Sequence, residues 1–232
     1  MILYDSLSLL TAVDLAALVL LILLWCGIGW RVEHSSSKNP STSSIMAGYR
    51  RQWMTLMTQR EVRIFDSQTL STLRQSTSFF ASTCVIAIGG TLALIGNAEQ
   101  VADVAADLTV TSDPAIIWEM KFLVIVFFLT NAFLKFVWSN RLFGYCSVVM
   151  GATPNDIEDP KMQSYAHKAA ELNIAAARSF NRGLRAMYYA LATVAWLIGP
   201  EFLLGATIIT SLVIWRREFA SQSRRVLLEI DS

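Results

Sequence analysis

The basic residues of this 232-residue chain lie in short polar stretches, and the long apolar runs between those stretches carry almost no charge. Of the 19 Lys and Arg residues, seven lie in residues 31–76, six in residues 139–185 and four in the tail after Trp215. Residues 1–30 and 98–120 contain none. Short loops rich in Lys and Arg stay on the cytoplasmic side of a membrane. The pattern therefore predicts a multi-pass membrane protein whose N-terminus lies outside and whose C-terminus lies inside the cell.

The composition agrees with this class of protein. The chain is 54% hydrophobic and 16% charged, whereas about 25% of the residues of a soluble domain are charged. Its net charge of +1 produces no overall field that would attract nucleic acid. We predict an all-α polytopic membrane helix bundle with five transmembrane helices and cytoplasmic helical extensions, which forms a single membrane domain over residues 1–232.

The first three predicted spans follow directly from the apolar runs. They cover about residues 9–30, 78–97 and 118–138. The third would be roughly 30 Å long as a helix, which matches the ~30 Å hydrocarbon core of a bilayer. Trp118 and Trp138 at its two ends are the interfacial aromatic residues typical of a membrane helix.

The last apolar stretch, residues 186–215, is too long for one span. As a continuous helix it would measure roughly 45 Å, about half more than the bilayer core. Gly199-Pro200-Glu201 stands in its middle. The ends of the chain differ in basic residues, so we expect them on opposite faces, and this requires an odd number of spans. We therefore predict two short spans, about 185–198 and 202–216, joined by a turn at the outer face.

Two amphipathic cytoplasmic helices are predicted, at about residues 44–58 and 160–182. Ser43 or Ser44 is suited to cap the first of them. Its apolar face can lie on the inner leaflet or pack against helix ends of the same chain. The residues of this face, which recur at helical spacing, are Ile45, Tyr49, Trp53 and Leu56.

Small residues in the second span indicate close helix packing. Gly89 and Ala93 are separated by one helical turn, and such a pair lets a neighbouring helix backbone approach closely. The neighbour is either another helix of this chain or a helix of a second copy in a homo-oligomer.

No group of residues predicts a metal ion, a cofactor or a catalytic centre. His34 and His167 each lack a second His three or four positions away, which disfavours a haem or a His-rich metal site. The acidic outer segment, residues 98–117, lacks the spacing of an EF-hand. The chain contains no GxSxG, no HExxH and no glycine-rich phosphate loop. We predict no cofactor, no metal and no catalytic residue.

The candidate site is a group of basic residues at the cytoplasmic ends of the predicted helices. In one interpretation they only follow the topology rule and contact lipid phosphates. In the other they form a pocket for an anionic lipid head group, a phosphorylated metabolite or a permeating anion, because the forked guanidinium suits phosphate oxygens. The group consists of Arg31, Arg74, Lys135, Arg141, Arg182, Arg185, Arg216 and Arg217.

A polar stripe in the third span adds to this candidate site. Asn131, Lys135 and Ser139 recur at a spacing of four residues and share one helix face. Such a stripe on a membrane helix usually faces the protein interior or a water-filled cavity.

Several segments carry a resemblance to a known family. They include Asn39-Pro40-Ser41, Phe180-Asn181-Arg182-Gly183 and Arg216-Arg217-Glu218-Phe219. With others between residues 30 and 220, they resemble the bacterial membrane proteins grouped as domain-of-unknown-function family 599. Phe143-Gly144-Tyr145 departs from the family, which usually has Asn before the Tyr. The resemblance implies an integral protein of the bacterial inner membrane and implies no activity.

Three functions are compatible with these observations. The first is a non-catalytic membrane component, as a homo-oligomer or an accessory subunit of a larger assembly. The second is an anion-selective channel or passive transporter that uses the Asn131 stripe and the inner arginines. The third is an anionic-lipid-binding protein or membrane enzyme that uses the arginine group. The expected partners are membrane lipids, above all anionic head groups of the cytoplasmic leaflet, and further membrane subunits, but not nucleic acid.

Overall fold

The computed structural model describes residues 10–108, 114–156 and 158–229, and within these ranges the chain is all-α, without a strand. A 3₁₀ turn at Ala195–Leu197 separates the last two long helices. The α-helices are α1 (Ala12–Glu33), α2 (Thr42–Met57), α3 (Ile64–Ile95), α4 (Ala98–Leu108), α5 (Ala115–Gly151), α6 (Met162–Val194), α7 (Pro200–Phe219) and α8 (Gln222–Leu228).

Three helices of the described part of the chain, α1, α3 and α5, are long and apolar enough to cross a membrane. Two of them extend well beyond the predicted spans, since α3 already begins at Ile64 and α5 continues to Gly151. Residue 9, the first residue of the predicted span 9–30, lies outside the described residues, and so do residues 109–113 of the acidic outer segment. The total of five spans and their orientation stay predictions.

The last apolar stretch is interrupted at its glycine and proline. Helix α6 ends at Val194, and α7 begins with Pro200, a residue that fits the first turn of a helix. Tyr189 and Ser211 are 22 residues apart, yet their hydroxyl oxygens are separated by 2.8 Å. One continuous helix would place these residues roughly 33 Å apart. The chain therefore folds back between them, and α6 and α7 lie side by side.

The chain divides into two compact units, and α1, α3, α5, α6 and α7 each contribute residues to both. The first unit consists of residues Met1–Gly29, Thr83–Ala132 and Leu184–Trp215. The second unit consists of residues Trp30–Ser82, Phe133–Gly183 and Arg216–Ser232.

Aromatic side chains form the core of the first unit. Phe128 is fully buried. The ring of Trp25 meets it edge-on with centroids 5.1 Å apart, and Tyr189 stacks against its other side at 6.3 Å. These contacts join α1, α5 and α6 through one side chain.

The second unit has a core rich in sulfur. Met54 and Met57 of α2 are fully buried there, together with Cys146 and Met150 of α5. Of the predicted apolar face of α2, Trp53 packs against this core and Ile45 is half-buried, whereas Tyr49 and Leu56 are exposed. The two methionines fill this core instead, because their flexible side chains adapt to irregular space.

The start of α2 also differs from the sequence-based expectation. Ser41, and neither Ser43 nor Ser44, is the N-cap: its hydroxyl oxygen accepts a hydrogen bond from the backbone N–H of Ser44 at 3.2 Å. The same hydroxyl donates to the carbonyl oxygen of Val32 at 2.9 Å. The Ser41 side chain therefore connects the end of α1 to the first turn of α2 through two hydrogen bonds.

A glycine allows a close helix contact in the second unit. A Cβ atom added to Gly183 of α6 would lie 2.8 Å from the ring of Phe136 on α5. Phe136 is fully buried and is stacked on Phe80 with centroids 5.3 Å apart. Phe180 packs against both rings. The ring therefore has little room to move away from a larger residue at position 183.

We expect Gly183→Ala to destabilise the protein by about 1–3 kcal/mol, the usual cost of overpacking a core. Gly48→Ala is the matched control, because Gly48 also lies in a helix but has nothing within 4 Å of the added Cβ. It should be neutral or stabilising through its higher helix propensity. Thermal unfolding of both purified variants in detergent, followed by circular dichroism, tests this. Equal unfolding temperatures for Gly183→Ala and the unmodified protein would contradict it.

Candidate functional site

Arg182 of the predicted basic group forms an ion pair inside the second unit. Its Nε donates to Oε1 of Glu33 at 2.8 Å, and its Nη2 donates to the other carboxylate oxygen. The hydrogen bonds from the guanidinium to Glu33 raise the pKa of Arg182 above its ordinary value. This two-point contact joins the end of α1 to α6, so the charge of Arg182 is compensated within the chain.

Two further arginines of the group lie against aromatic rings. The guanidinium of Arg31 lies 4.9 Å from the ring centroid of Phe219, and that of Arg141 lies 5.6 Å from the centroid of Tyr145. Contacts of this kind contribute roughly 0.5–1 kcal/mol at exposed sites. Arg31 thereby links the end of α1 to the end of α7.

The other members of the group are distributed over both units. Arg185 is buried and belongs to the first unit, whereas Arg74 and Arg216 are exposed and belong to the second. Lys135 is half-buried in the second unit. The structure thus gives these residues different surroundings, and a shared anion pocket stays a prediction.

The polar stripe of α5 partly faces the protein interior. Ser139 is fully buried and donates to the backbone carbonyl of Ala176 on α6 at 2.7 Å. Asn131 and Lys135 are half-buried on the same helix. The end of the stripe at Ser139 therefore serves helix packing.

Helix α2 is attached to α6 by two polar contacts that the sequence did not reveal. Arg51 donates through Nε to Glu171 at 2.7 Å, and this bond holds the pKa of Glu171 below its usual value. Arg50 donates to the side-chain oxygen of Asn173, and burial lowers the pKa of Arg50. These contacts, with the buried methionines, favour packing on the chain over attachment of α2 to the lipid surface.

The segment after α1, which comprises the loop and the first turn of α2, is bonded to the end of α7. The backbone N–H and the hydroxyl of Ser43 donate to the Glu218 carboxylate at 3.1 and 2.9 Å. Thr42 donates through its hydroxyl to the carbonyl of Glu218 at 3.1 Å. Asn181 of α6 donates to the Ser43 hydroxyl at 3.2 Å.

The same loop is bonded to α8. Arg224 donates to the carbonyl of Pro40 at 2.9 Å and to the side-chain oxygen of Asn39 at 2.8 Å. Segments far apart in sequence, including those that carry the family resemblance, thus meet in one hydrogen-bonded network. We call it the loop–tail cluster, and it comprises Asn39, Pro40, Thr42, Ser43, Asn181, Glu218 and Arg224.

A buried charged group in the first unit was missed by the sequence analysis. Asp14 accepts hydrogen bonds from the backbone and hydroxyl of Thr11, at 3.0 and 2.6 Å, and from the indole of Trp196 at 2.7 Å. Lys121, overlooked within the third predicted span, is buried, lies 4.8 Å from the Trp118 ring centroid and interacts electrostatically with Asp14. A charge in an apolar run requires a partner. The opposite charges of Asp14 and Lys121, each in an apolar run, were the sequence signal that could have identified this pair.

Gly89 and Ala93 lie on an exposed face of α3. A Cβ added to Gly89 or to its neighbour Gly90 would meet nothing within 4 Å. Among the described residues, no other helix therefore packs closely on Gly89, and the alternative of packing within the chain has no contact there to support it.

Side chains that bind metals are scattered in the described ranges. No three His, Cys, Asp or Glu residues there lie close enough together to hold a metal ion.

Comparison with known proteins gives one match. A family model described as "Protein of unknown function, DUF599" matches residues 16–223, most of the chain. Searches of curated proteins and of solved structures found no match.

The Arg182–Glu33 ion pair makes a prediction about stability. Arg182→Gln and Glu33→Gln should each lower the free energy of unfolding by about 1 kcal/mol, the upper end for a partly exposed pair. The double variant should lose little more than either single variant, because all three lack the same interaction. Arg178→Gln, which removes an exposed charge from the same helix, should change stability by less than about 0.5 kcal/mol. Strictly additive losses in denaturant unfolding would show that the pair is not coupled.

Proposed function

Given that this chain belongs to the DUF599 family of proteins of unknown function, we propose that it is a non-catalytic integral membrane protein that assembles with copies of itself. The proposal places it in the bacterial inner membrane, with the N-terminus outside and the loop–tail cluster on the cytoplasmic side. Support for membrane insertion comes from α1, α3 and α5, which are long and apolar enough to cross a bilayer.

The main support for the proposed self-assembly is the exposure of α3. In the most apolar 18-residue window of α3 only 6% of the residues are buried, against 22% in α1 and 39% in α5. A lone apolar helix face is compatible with lipid, so exposure by itself does not require a partner. The composition of this face favours one, because Gly89, Gly90 and Ala93 are small and exposed, and a Cβ added to either glycine would meet nothing within 4 Å.

Small residues matter in a membrane because association there depends on close packing of backbones and not on the hydrophobic effect. Each glycine also weakens a helix by roughly 1 kcal/mol relative to alanine in water. Among the described residues, nothing lies within 4 Å of a Cβ added to Gly89 or Gly90, and a second α3 that packs across them would use this space. We therefore propose that the interface between copies lies at Gly89, Gly90 and Ala93.

A non-catalytic role agrees with the state of the basic residues. Arg182 is paired with Glu33, and Arg31 and Arg141 are stacked on rings. The contacts of Arg182 and Arg31 join different helices, whereas Arg141 and Tyr145 both belong to α5. These contacts leave little support for an enzyme or for a ring of arginines around a pore.

Binding of anionic lipid is a second candidate, favoured by the exposed arginines Arg74 and Arg216. Arginine near a membrane surface attracts anionic head groups with about 1 kcal/mol per charge. If this holds, Arg74→Gln with Arg216→Gln should release copurified anionic lipid, as measured by native mass spectrometry. The Arg178→Gln variant serves as the control, and equal lipid retention in all three proteins would contradict this candidate.

Cysteine cross-linking tests self-assembly directly. In a background with Cys26, Cys84 and Cys146 replaced by Ser, Gly89→Cys should form a disulfide-linked dimer when native membranes are oxidised. Gly27→Cys is the control, because Gly27 of α1 is also exposed and has open space around it. The expected result is a dimer band for position 89 that clearly exceeds the band for position 27. Equal bands, or none, would contradict the proposed interface.

Cysteine labelling tests the orientation. In the same background, Leu228→Cys in exposed α8 should not react with an impermeant maleimide in intact spheroplasts and should react after permeabilisation. Glu99→Cys, in the predicted outer segment, should react in both. Both positions are exposed in the structure, so burial does not interfere. Efficient labelling of position 228 in intact spheroplasts would place the tail outside and exclude an odd number of spans.

A further inference from the structure

The second unit contains a cavity that neither the family nor the proposed assembly explains. Its volume is about 290 Å³, close to the lower end of the ~300–1,000 Å³ typical of small-molecule sites. It lies between the first turn of α3 and the last turns of α5, and the end of α2 closes it. Met57 and Leu70 form an apolar wall, and Ser67 and Asn155 are exposed at its edge.

Arg63 supplies the only charge among the described residues that line this cavity. Its Nη1 donates to the carbonyl of Thr153 at 3.1 Å, and its Nη2 donates to the carbonyl of Pro154 at 2.9 Å. These bonds fix the guanidinium to the chain just after α5. Both acceptors are neutral carbonyls, and none of the ion pairs found among the described residues includes Arg63.

The third nitrogen of this guanidinium lacks a partner. Nε of Arg63 is buried and has no hydrogen-bond acceptor among the described residues. Leaving a buried donor unsatisfied costs roughly 1–3 kcal/mol, and more for a charged group. A guanidinium carries five N–H groups, and the two bonds to carbonyls leave further N–H groups on Nη1 and Nη2. A fixed cation with unused N–H groups at the wall of a cavity is suited to an acceptor that enters from outside.

The remaining polar groups define which acceptor fits. Ser67 and Asn155 contribute a hydroxyl and an amide group to the lining, whereas the Ser147 hydroxyl already donates to the carbonyl of Phe143 at 3.2 Å. Single donors from several residues suit the three oxygens of a phosphate monoester, and the apolar wall suits a carbon group attached to it.

We propose that this cavity binds a phosphate monoester, with Arg63 as the charged anchor. Soluble phosphate esters and the head group of phosphatidic acid share this chemistry. The site differs from the predicted arginine group at the helix ends, which does not include Arg63. It is also independent of contacts between copies of α3, so either proposal can fail without the other.

The test uses the purified full-length protein in phosphate-free buffer. In one arm, phenyl phosphate is titrated by isothermal calorimetry. In the other, the protein is reconstituted in nanodiscs of phosphatidylcholine with or without phosphatidic acid, and bound lipid is counted by native mass spectrometry. Binding in the first arm identifies a soluble ligand and binding in the second a lipid. Absence of saturable binding in both arms overturns the proposal.

Two variants locate the binding. Arg63→Gln should weaken it about tenfold or more, since a hydrogen bond to a charged group contributes at least that much. Arg178→Gln, with the same loss of charge outside the cavity, should bind as the unmodified protein does. Ser147→Leu fills the cavity while Arg63 stays in place, and it should also abolish binding. If Arg63→Gln does not fold, Ser147→Leu decides, and retained affinity in that folded variant overturns the proposal, as does equal loss in Arg63→Gln and Arg178→Gln.

Discussion

A carboxylate in apolar surroundings must find hydrogen-bond donors, and in the first unit this requirement is met at Asp14. Its oxygens accept bonds from Thr11 and from Trp196. Trp196 lies in the short 3₁₀ turn between α6 and α7, so the bond fixes the start of α1 beside the point where the chain folds back. The Tyr189–Ser211 hydrogen bond then holds α6 and α7 together. The antiparallel arrangement of the last two helices thus depends on polar groups, each of which would be costly to leave unpaired.

The second unit meets the same requirement with more numerous contacts. Its arginines bind carboxylates, carbonyl oxygens and aromatic rings, and they join segments that are distant in sequence. This explains why the positions of Lys and Arg in the sequence indicate the membrane topology but give little information about a ligand. Most of these charges have partners within the chain, and Arg63 is distinguished because part of its guanidinium does not.

The features that the sequence predicted well have local causes. Gly199-Pro200 interrupts a helix wherever it stands, and the apolar runs were long enough to identify three candidate spans. The errors also have identifiable causes. Four consecutive hydroxyl residues, Ser41 to Ser44, offered equivalent caps, and only the bond from Ser41 to Val32 distinguishes one of them. Asp14 and Trp196 are 182 residues apart, and Arg63 binds backbone carbonyls, which leave no signature in a sequence.

The loop–tail cluster has a consequence for how the protein is made. Ser43 is synthesised early, but its partner Glu218 follows 175 residues later, and Arg224 reaches Asn39 only after 185 residues. Domains usually fold in order as the chain emerges, N-terminal part first. Here the loop after α1 must wait, with its polar groups hydrated, until nearly the whole chain has left the ribosome. Completion of this unit is therefore a late event in biogenesis, because it requires that the last helix has been synthesised.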